Sequence, residues 1–433
     1  MPVQRPKRVP VAERRAIDPL THLRRTDPNA RRRTARALKP FASGEHVWLG
    51  NGGAAEGCRL ARASGIDVAD AVFSRIARLD GKETFSYGEL VAFSGDFYGS
   101  PSALYEEKPS AIPWLWEAND LSDLRKSFAK ELRWIEDRQR GRGPLAYPDE
   151  NLRQAWNAKS YVELALRNVD HFGWHNVAAY CLHHAAALAL AARARGKDVE
   201  PWRRAVVTNA FADHFLSDGF AAGHVRVPRA EIRAWAKARK LSDKLAGALS
   251  KLLHDADGHV ETLHGLAEGA RGDGDGLPVR NAAGDAWSTF CDGQLFLFPG
   301  SVATPAVRVP VAAIGASVLE LVRAWKKGVL PKGVFEATRL VAFPSPDAPG
   351  LSDKFSTKLP AARLKALFDS AAWYSKIPWI GPGLTLAHVR ALFEALPGLM
   401  GELRENVRSD LRRDPGLARR IAPEYVQAYL SIR

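Results

Sequence analysis

Nine of the twelve histidines in this chain (His171, His175, His183, His184, His214, His224, His254, His259 and His264) crowd into less than a quarter of its length. The same stretch carries apolar residues at helical spacing, through 176–195, 202–218 and 229–253. Imidazole is the commonest protein metal ligand and a frequent acid or base. A helical body that gathers so many must either satisfy each one in its core or use several together.

The segment VTNAFADHFLSDGFAAGHVRVP, 207–228, narrows the choice. On a helix Val207, Phe211, His214 and Asp218 share one stripe that is otherwise apolar, so His214 and Asp218 point inward together. Gly219 and Gly223 then let the backbone leave the helix, and His224 can fold back toward the same point. A buried carboxylate needs a compensating positive charge, and a buried histidine pair needs a common partner. A zinc ion supplies both; a satisfied His–Asp pair at the end of a core helix is the alternative.

The run His214-x3-Asp218-x5-His224 resembles the His-x3-Asp-x5-His zinc motif of the zinc-dependent phospholipase C and single-strand nuclease superfamily. The flanking Ala212-Asp213-His214-Phe215-Leu216-x-Asp218-x-Phe220-Ala221-Ala222-Gly223-His224-x-Arg226-x-Pro228 is similar to a longer signature in bacterial members. The resemblance implies an all-α, multi-helix phospholipase C-like fold with a cluster of two or three zinc ions, over about residues 45–300. It also implies further ligands. Asp96, in GELVAFSGDFY, matches the aspartate that bridges two zincs and serves as general base; its alternative is an ordinary turn residue. His171 matches the helix-borne histidine that follows, with His183 and His184 as rivals more easily read as core residues. His46, in GEHVWLG, matches the histidine near the mature N-terminus of the family. Met1 lies 45 residues before it and no cleavage site is evident, so for the terminal amine that these enzymes use either proteolysis is needed or another group replaces it. Downstream the family places a histidine with an acid one turn later. His254 ranks first for that role and His264 with Glu268 second; His259, Asp255, Asp257 and Glu261 also stand nearby, and a loop of hydrated charges is the plain alternative.

The formal charge of +14, from 62 basic and 48 acidic residues in 433, is unevenly spread. Residues 1–40 hold twelve Lys or Arg against three acids, 12 − 3 = +9, with no sustained apolar period. They read as a flexible basic arm suited to anionic lipid or nucleic acid. Residues 41–300 read as a catalytic domain, with irregular structure dominating 41–118 and one hairpin over 277–298. Residues 301–433 read as a helical extension packed on the core. Three scattered cysteines make neither a disulfide framework nor a thiolate zinc site. No secretory signal pattern and no bilayer-crossing segment is evident, since the best candidate, 177–194, is interrupted by His183 and His184. Compartment, and export by a route without such a signal, stay open. No G-x-S-x-G elbow or phosphate loop occurs.

These observations predict a zinc-dependent phosphodiesterase that acts on phospholipid at a membrane surface. Phe97, Tyr98, Phe172, Trp174, Phe215 and Phe220 around the predicted ligands favour lipid. A nuclease on the same fold, or a non-catalytic helical interaction protein, are the alternatives.

Overall fold

Helix α1 (Ser43–Ala63) runs straight through the Gly-Asn-Gly-Gly sequence that reads as a turn. The structure, a computed structural model, describes residues 43–79, 81, 83–106, 120–144, 147–148, 150, 164, 168–195, 198–258, 276–297, 299–372 and 383–433. After α1 come a two-stranded antiparallel ribbon, β1 (Ile76–Ala77) with β2 (Thr84–Phe85), and helices α2 (Tyr87–Phe93), α3 (Pro101–Glu106) and α4 (Leu121–Gln139). Then follow α5 (Gly173–Ala194), α6 (Val199–Asp218), α7 (Ala222–Arg226), α8 (Arg229–Ala238) and α9 (Asp243–Ala256). Strands β3 (Leu277–Arg280) and β4 (Ala286–Thr289) precede α10 (Pro305–Lys327), β5 (Phe343–Pro344), α11 (Leu351–Lys354), α12 (Ala361–Ala372), α13 (Leu386–Arg413), α14 (Pro415–Arg420) and α15 (Pro423–Leu430). Among the described residues the fold is mainly helical, with two small antiparallel sheets.

The glycines of α1 serve helix packing rather than a turn. A Cβ at Gly57 would sit 2.6 Å from Val318 Cγ1, and one at Gly53 would overlap Ile314, so α1 and α10 meet almost backbone to backbone. Both contacts come from far along the chain, and this corrects the irregular reading of 41–118. Helix α6 occupies the centre, packed against α5, α10 and α2. Every residue from Ala205 to Asp218 is buried, as expected of a helix enclosed on all sides.

Two further corrections concern boundaries. The helical period over 229–253 belongs to two helices, separated where Lys240 adopts φ 58° and Ser242 caps α9 through the Leu245 amide at 3.2 Å. The hairpin forms as β3–β4, Leu277 opposite Thr289 and Arg280 opposite Ala286, and gains a third strand because β5 pairs Val279 with Pro344. Residues beyond 300 thus complete a sheet begun before them. Trp174 Nε1 donates to Asp410 at 3.0 Å, and Tyr429 donates to the Val225 carbonyl.

Helices α5 and α10 are long and apolar enough to cross a bilayer. The fold buries 72% of the apolar window of α10 and 44% of that of α5, so core packing accounts for most of the apolarity of α10. Residues 1–40 lie outside the described residues.

Candidate metal centre

The site forms where the C-terminal end of α6 meets the ends of four other segments. Helix α2 is fixed at its start by a capping box between Ser86 and Glu89. It is tied to α6 by Tyr87, whose hydroxyl donates to Asp213 at 2.6 Å, and by the Val91 carbonyl, 3.0 Å from His214 Nδ1. Burial pushes the Asp213 carboxyl up to about 7, against hydrogen bonds that hold it down, Tyr87's among them. The chain then leaves α2 through Gly95, at φ +73°, and delivers Asp96. A Cβ at Gly95 would lie 2.5 Å from His214 Nε2 and 2.8 Å from His171 Cε1. Only glycine fits both the backbone and the space.

Three groups of side chains converge, each with its ligand atoms within 4.8 Å of one another: His46, His214 and Asp218; Asp96, His171 and His214; His224, His254 and Asp292. Together they gather five imidazoles and three carboxylates around one cleft, lined by all of them except the fully buried His214. His214, His171, Asp218, His254 and His224 are buried, whereas His46 and Asp292 are partly exposed, at 15% and 13% of their side-chain surface. Asp218 lies at the centre. Its Oδ1 is 3.4 Å from His46 Nε2, and its Oδ2 is 3.0 Å from His171 Nδ1, 3.6 Å from His214 Nε2 and 4.0 Å from His224 Nδ1. On the other side Asp292 Oδ2 is 3.3 Å from His224 Nε2 and 3.2 Å from His254 Nε2.

The hydrogen bonds behind the histidines determine what faces the cleft. His214 Nδ1 can only donate to the Val91 carbonyl, and His224 Nδ1 only to the His171 carbonyl at 2.9 Å. His254 Nδ1 meets Asp255 Oδ1 at 2.8 Å. His46 Nδ1 meets Ser217 Oγ at 2.9 Å, and that hydroxyl already donates to the His214 carbonyl, which leaves its oxygen as the acceptor. In the neutral tautomer all four rings therefore aim Nε2 lone pairs at carboxylate oxygens. Acceptor facing acceptor is repulsive without a cation between them. Asp218 Oδ2 is buried and receives no hydrogen bond of good geometry, although His171 and His214 are close. The chemistry and the orphaned oxygen fit divalent cations.

Without a cation the set must take up protons instead. Burial opposes a charge on His224, but Asp218 and Asp292 overcome it and raise the imidazole to about 9. Burial also opposes ionisation of Asp218 and Asp292, yet the imidazoles facing them hold both carboxyls well below the usual range. Burial drives His214 far down. Asp96 is raised by burial, only partly offset by His171.

Asp292 was not foreseen. The resemblance places the acid one turn after the downstream histidine, but that position after His254 is Gly258, and the acid beside His254 comes from the turn after β4. Ala222 donates to the Phe290 carbonyl at 2.8 Å, and Glu45 accepts from Gly293 and Leu295 at 3.0 and 3.2 Å. The turn is thereby braced on the residue beside His46. Gly223 has a role other than the one expected, since a Cβ there would overlap the His254 ring.

Three of the described histidines lie elsewhere. His184 bonds Asn209 and Glu320 in the core, His183 stacks on Phe215, and His175 faces Glu231 at 3.4 Å. His259, Glu261, His264 and Glu268 lie outside the described residues, and Asp257 pairs with Arg226. Of the aromatics expected around the ligands, Phe172 lines the cleft with Asn168, Arg229 and Lys251, while Phe97, Trp174 and Phe220 are fully buried in the core. No protein-family model, no curated protein and no solved structure matches this chain.

Proposed function

We propose that this protein is a zinc-dependent phosphodiesterase of the phospholipase C kind, releasing diacylglycerol and a phosphorylated head group. The supporting observation is the set of inward lone pairs from His46, His214, His224 and His254, opposed to Asp218 and Asp292. Only a cluster of cations reconciles such a set with neutral imidazoles, and three carboxylates leave two or three divalent ions with a net positive charge that suits a phosphate. Zinc held there supplies Lewis acidity toward phosphoryl oxygens and lowers the pKa of water to about 7.

The rest is work for the chain. His46 and Asp218 would hold one ion, Asp96, His171 and His214 a second, and His224, His254 and Asp292 a third. Asp96 lines the cleft, where it can orient the attacking water and take its proton. Its elevated basicity suits that role. Asp255 orients His254, and Ser217 orients His46, as carboxylates and hydroxyls behind metal-bound histidines do. The basic segment 1–40 is proposed to bring the enzyme to an anionic surface. The cations Arg229 and Lys251 in the cleft wall favour a second reading, a single-strand nuclease on the same centre.

The test is a side-by-side assay of the zinc-loaded protein on mixed phospholipid vesicles and on single-stranded RNA and DNA, before and after chelation. Diacylglycerol release that disappears with the metal is expected. Rapid zinc-dependent nuclease activity with no lipid turnover would overturn the lipid reading. Less than one equivalent of metal with no hydrolysis would leave a non-catalytic helical protein.

A further inference from the structure

We infer that Tyr429, on the C-terminal helix α15, is a positioning residue of the candidate centre: it holds together the two stretches of backbone that carry His171 and His224. This rests on the metal-binding part of the reading above and is independent of the substrate. Tyr429 is fully buried and belongs to none of the three ligand groups.

The need for such a residue comes from α7. With only Ala222–Arg226 it is too short to hold its own geometry, and its last carbonyls have no partner within the helix. The ring of His224 is nonetheless fixed at both nitrogens. Its Nδ1 meets the His171 carbonyl at 2.9 Å, and its Nε2 faces Asp292 at 3.3 Å. The direction of the ring therefore depends on two backbone segments keeping their places, one running through His171, Phe172 and Gly173 and the other through His224 and Val225.

Tyr429 touches both. Its hydroxyl donates to the carbonyl of Val225, the residue after His224. Its ring lies against Gly173, where a Cβ would come 3.6 Å from Tyr429 Cε1. Gly173, at φ +56°, turns the chain from His171 and Phe172 into α5. Tyr425, one turn earlier on the same face of α15, stacks on Tyr429 at 4.7 Å and donates to the Gly173 carbonyl at 3.4 Å. The two tyrosines thus grip the backbone on either side of the hydrogen bond between His224 and His171. Arg226 and Ala222 also hold α7, through Asp257 and Phe290, whereas Tyr429 ties it to the segment that carries His171.

The experiment measures zinc dissociation constants of the full-length protein by competition with a chelating dye, at a temperature where circular dichroism shows each variant fully folded. Tyr429→Phe keeps the ring and removes the hydroxyl. Thr385→Ala, which removes the cap of α13, is the control for lost stability. Tyr429→Phe should bind one zinc ion at least about tenfold more weakly and the rest as tightly as wild type, whereas Thr385→Ala should bind all of them as wild type does. Tyr425→Phe, which loosens the Gly173 side alone, should weaken one ion to a lesser degree and carries the test should Tyr429→Phe not fold. Unchanged zinc affinity in the tyrosine variants, or the same loss in Thr385→Ala, would make Tyr429 a core residue only and overturn the inference. Zinc bound with no lipid hydrolysed would overturn the phospholipase reading alone, and wild type that binds no zinc would overturn both.

Discussion

Arg226 grips Asp257 through Nε and Nη2 at 2.7 and 2.8 Å, and this buried pair lies two residues beyond His224 and three beyond His254. The ion pair therefore clamps α7 to the end of α9, and with it the two histidines that share Asp292. Lys354, from α11, adds its ammonium at 3.2 Å, and the Pro349 carbonyl accepts from Arg226. The region beyond residue 300 is in this way part of the support of the candidate centre.

Replacing Asp257 by Asn should destabilise the fold by about 3–5 kcal/mol at neutral pH, because two buried cations lose their counter-charge. The sign with pH follows from the carboxyl. Burial alone would raise it, but Arg226 and Lys354 together hold it below its ordinary value. Its stabilisation is complete above the unfolded-state pKa of about 3.9 and is lost as pH falls through the lower folded value. Melting curves of wild type and Asp257→Asn should therefore differ most at pH 6–8 and approach each other below about pH 3. A gap that stays constant with pH would place the pair outside the stability of the fold.

Metal analysis after mild purification should find two or three zinc ions per chain, and less than one would remove the cluster. Binding should also release protons. His224, near 9 in the metal-free protein, is an imidazolium at neutral pH and must give up its proton to become a ligand. Zinc affinity should then rise with pH through neutrality. Calorimetry in buffers of different ionisation enthalpy should show at least about one proton released per protein.

Asp292→Asn separates the observed geometry from the second-ranked alternative of the sequence, in which His264 and Glu268 complete the site. If Asp292 is the acid of the third group, the variant should lose about one zinc equivalent and at least about a hundredfold in rate. The Glu268→Gln variant should keep both. Loss of metal in Glu268→Gln with Asp292→Asn unaffected would reverse the assignment.

What was legible in the sequence follows from how far each piece of geometry reaches. His214, Asp218 and His224 sit on one helix end and the turn after it, where spacing encodes direction. Asp96 and His171 were reached through a resemblance, because their meeting depends on how the end of α2 lies against α6. Asp292 gave no local signal: in Cys291-Asp292-Gly293 an Asp before a Gly reads as a turn. Its place depends on the docking of the hairpin and on Glu45, far earlier in the chain. The glycines of α1 misled for the same reason. A glycine run reads as a breaker unless the partner helix is known, and the residues that demand it, Ile314 and Val318, are distant in sequence.

Gly95→Ala tests whether the centre is shaped by the backbone as well as by its ligands. The position has φ +73°, which costs an alanine about 1–2 kcal/mol. The added methyl would also point at the nitrogen of His214 and at the His171 ring. Because Gly95 lies at the end of α2 and directly against the ligands, the least costly relief is to push Asp96 and the two rings apart rather than to disturb the core around α6. The variant should remain folded, with a melting temperature close to that of wild type in the presence of chelator. It should nonetheless lose at least one zinc equivalent and most of its hydrolytic rate. A Gly95→Ala protein that binds zinc in full and turns over normally would show that the space between His171, His214 and Asp96 holds no metal.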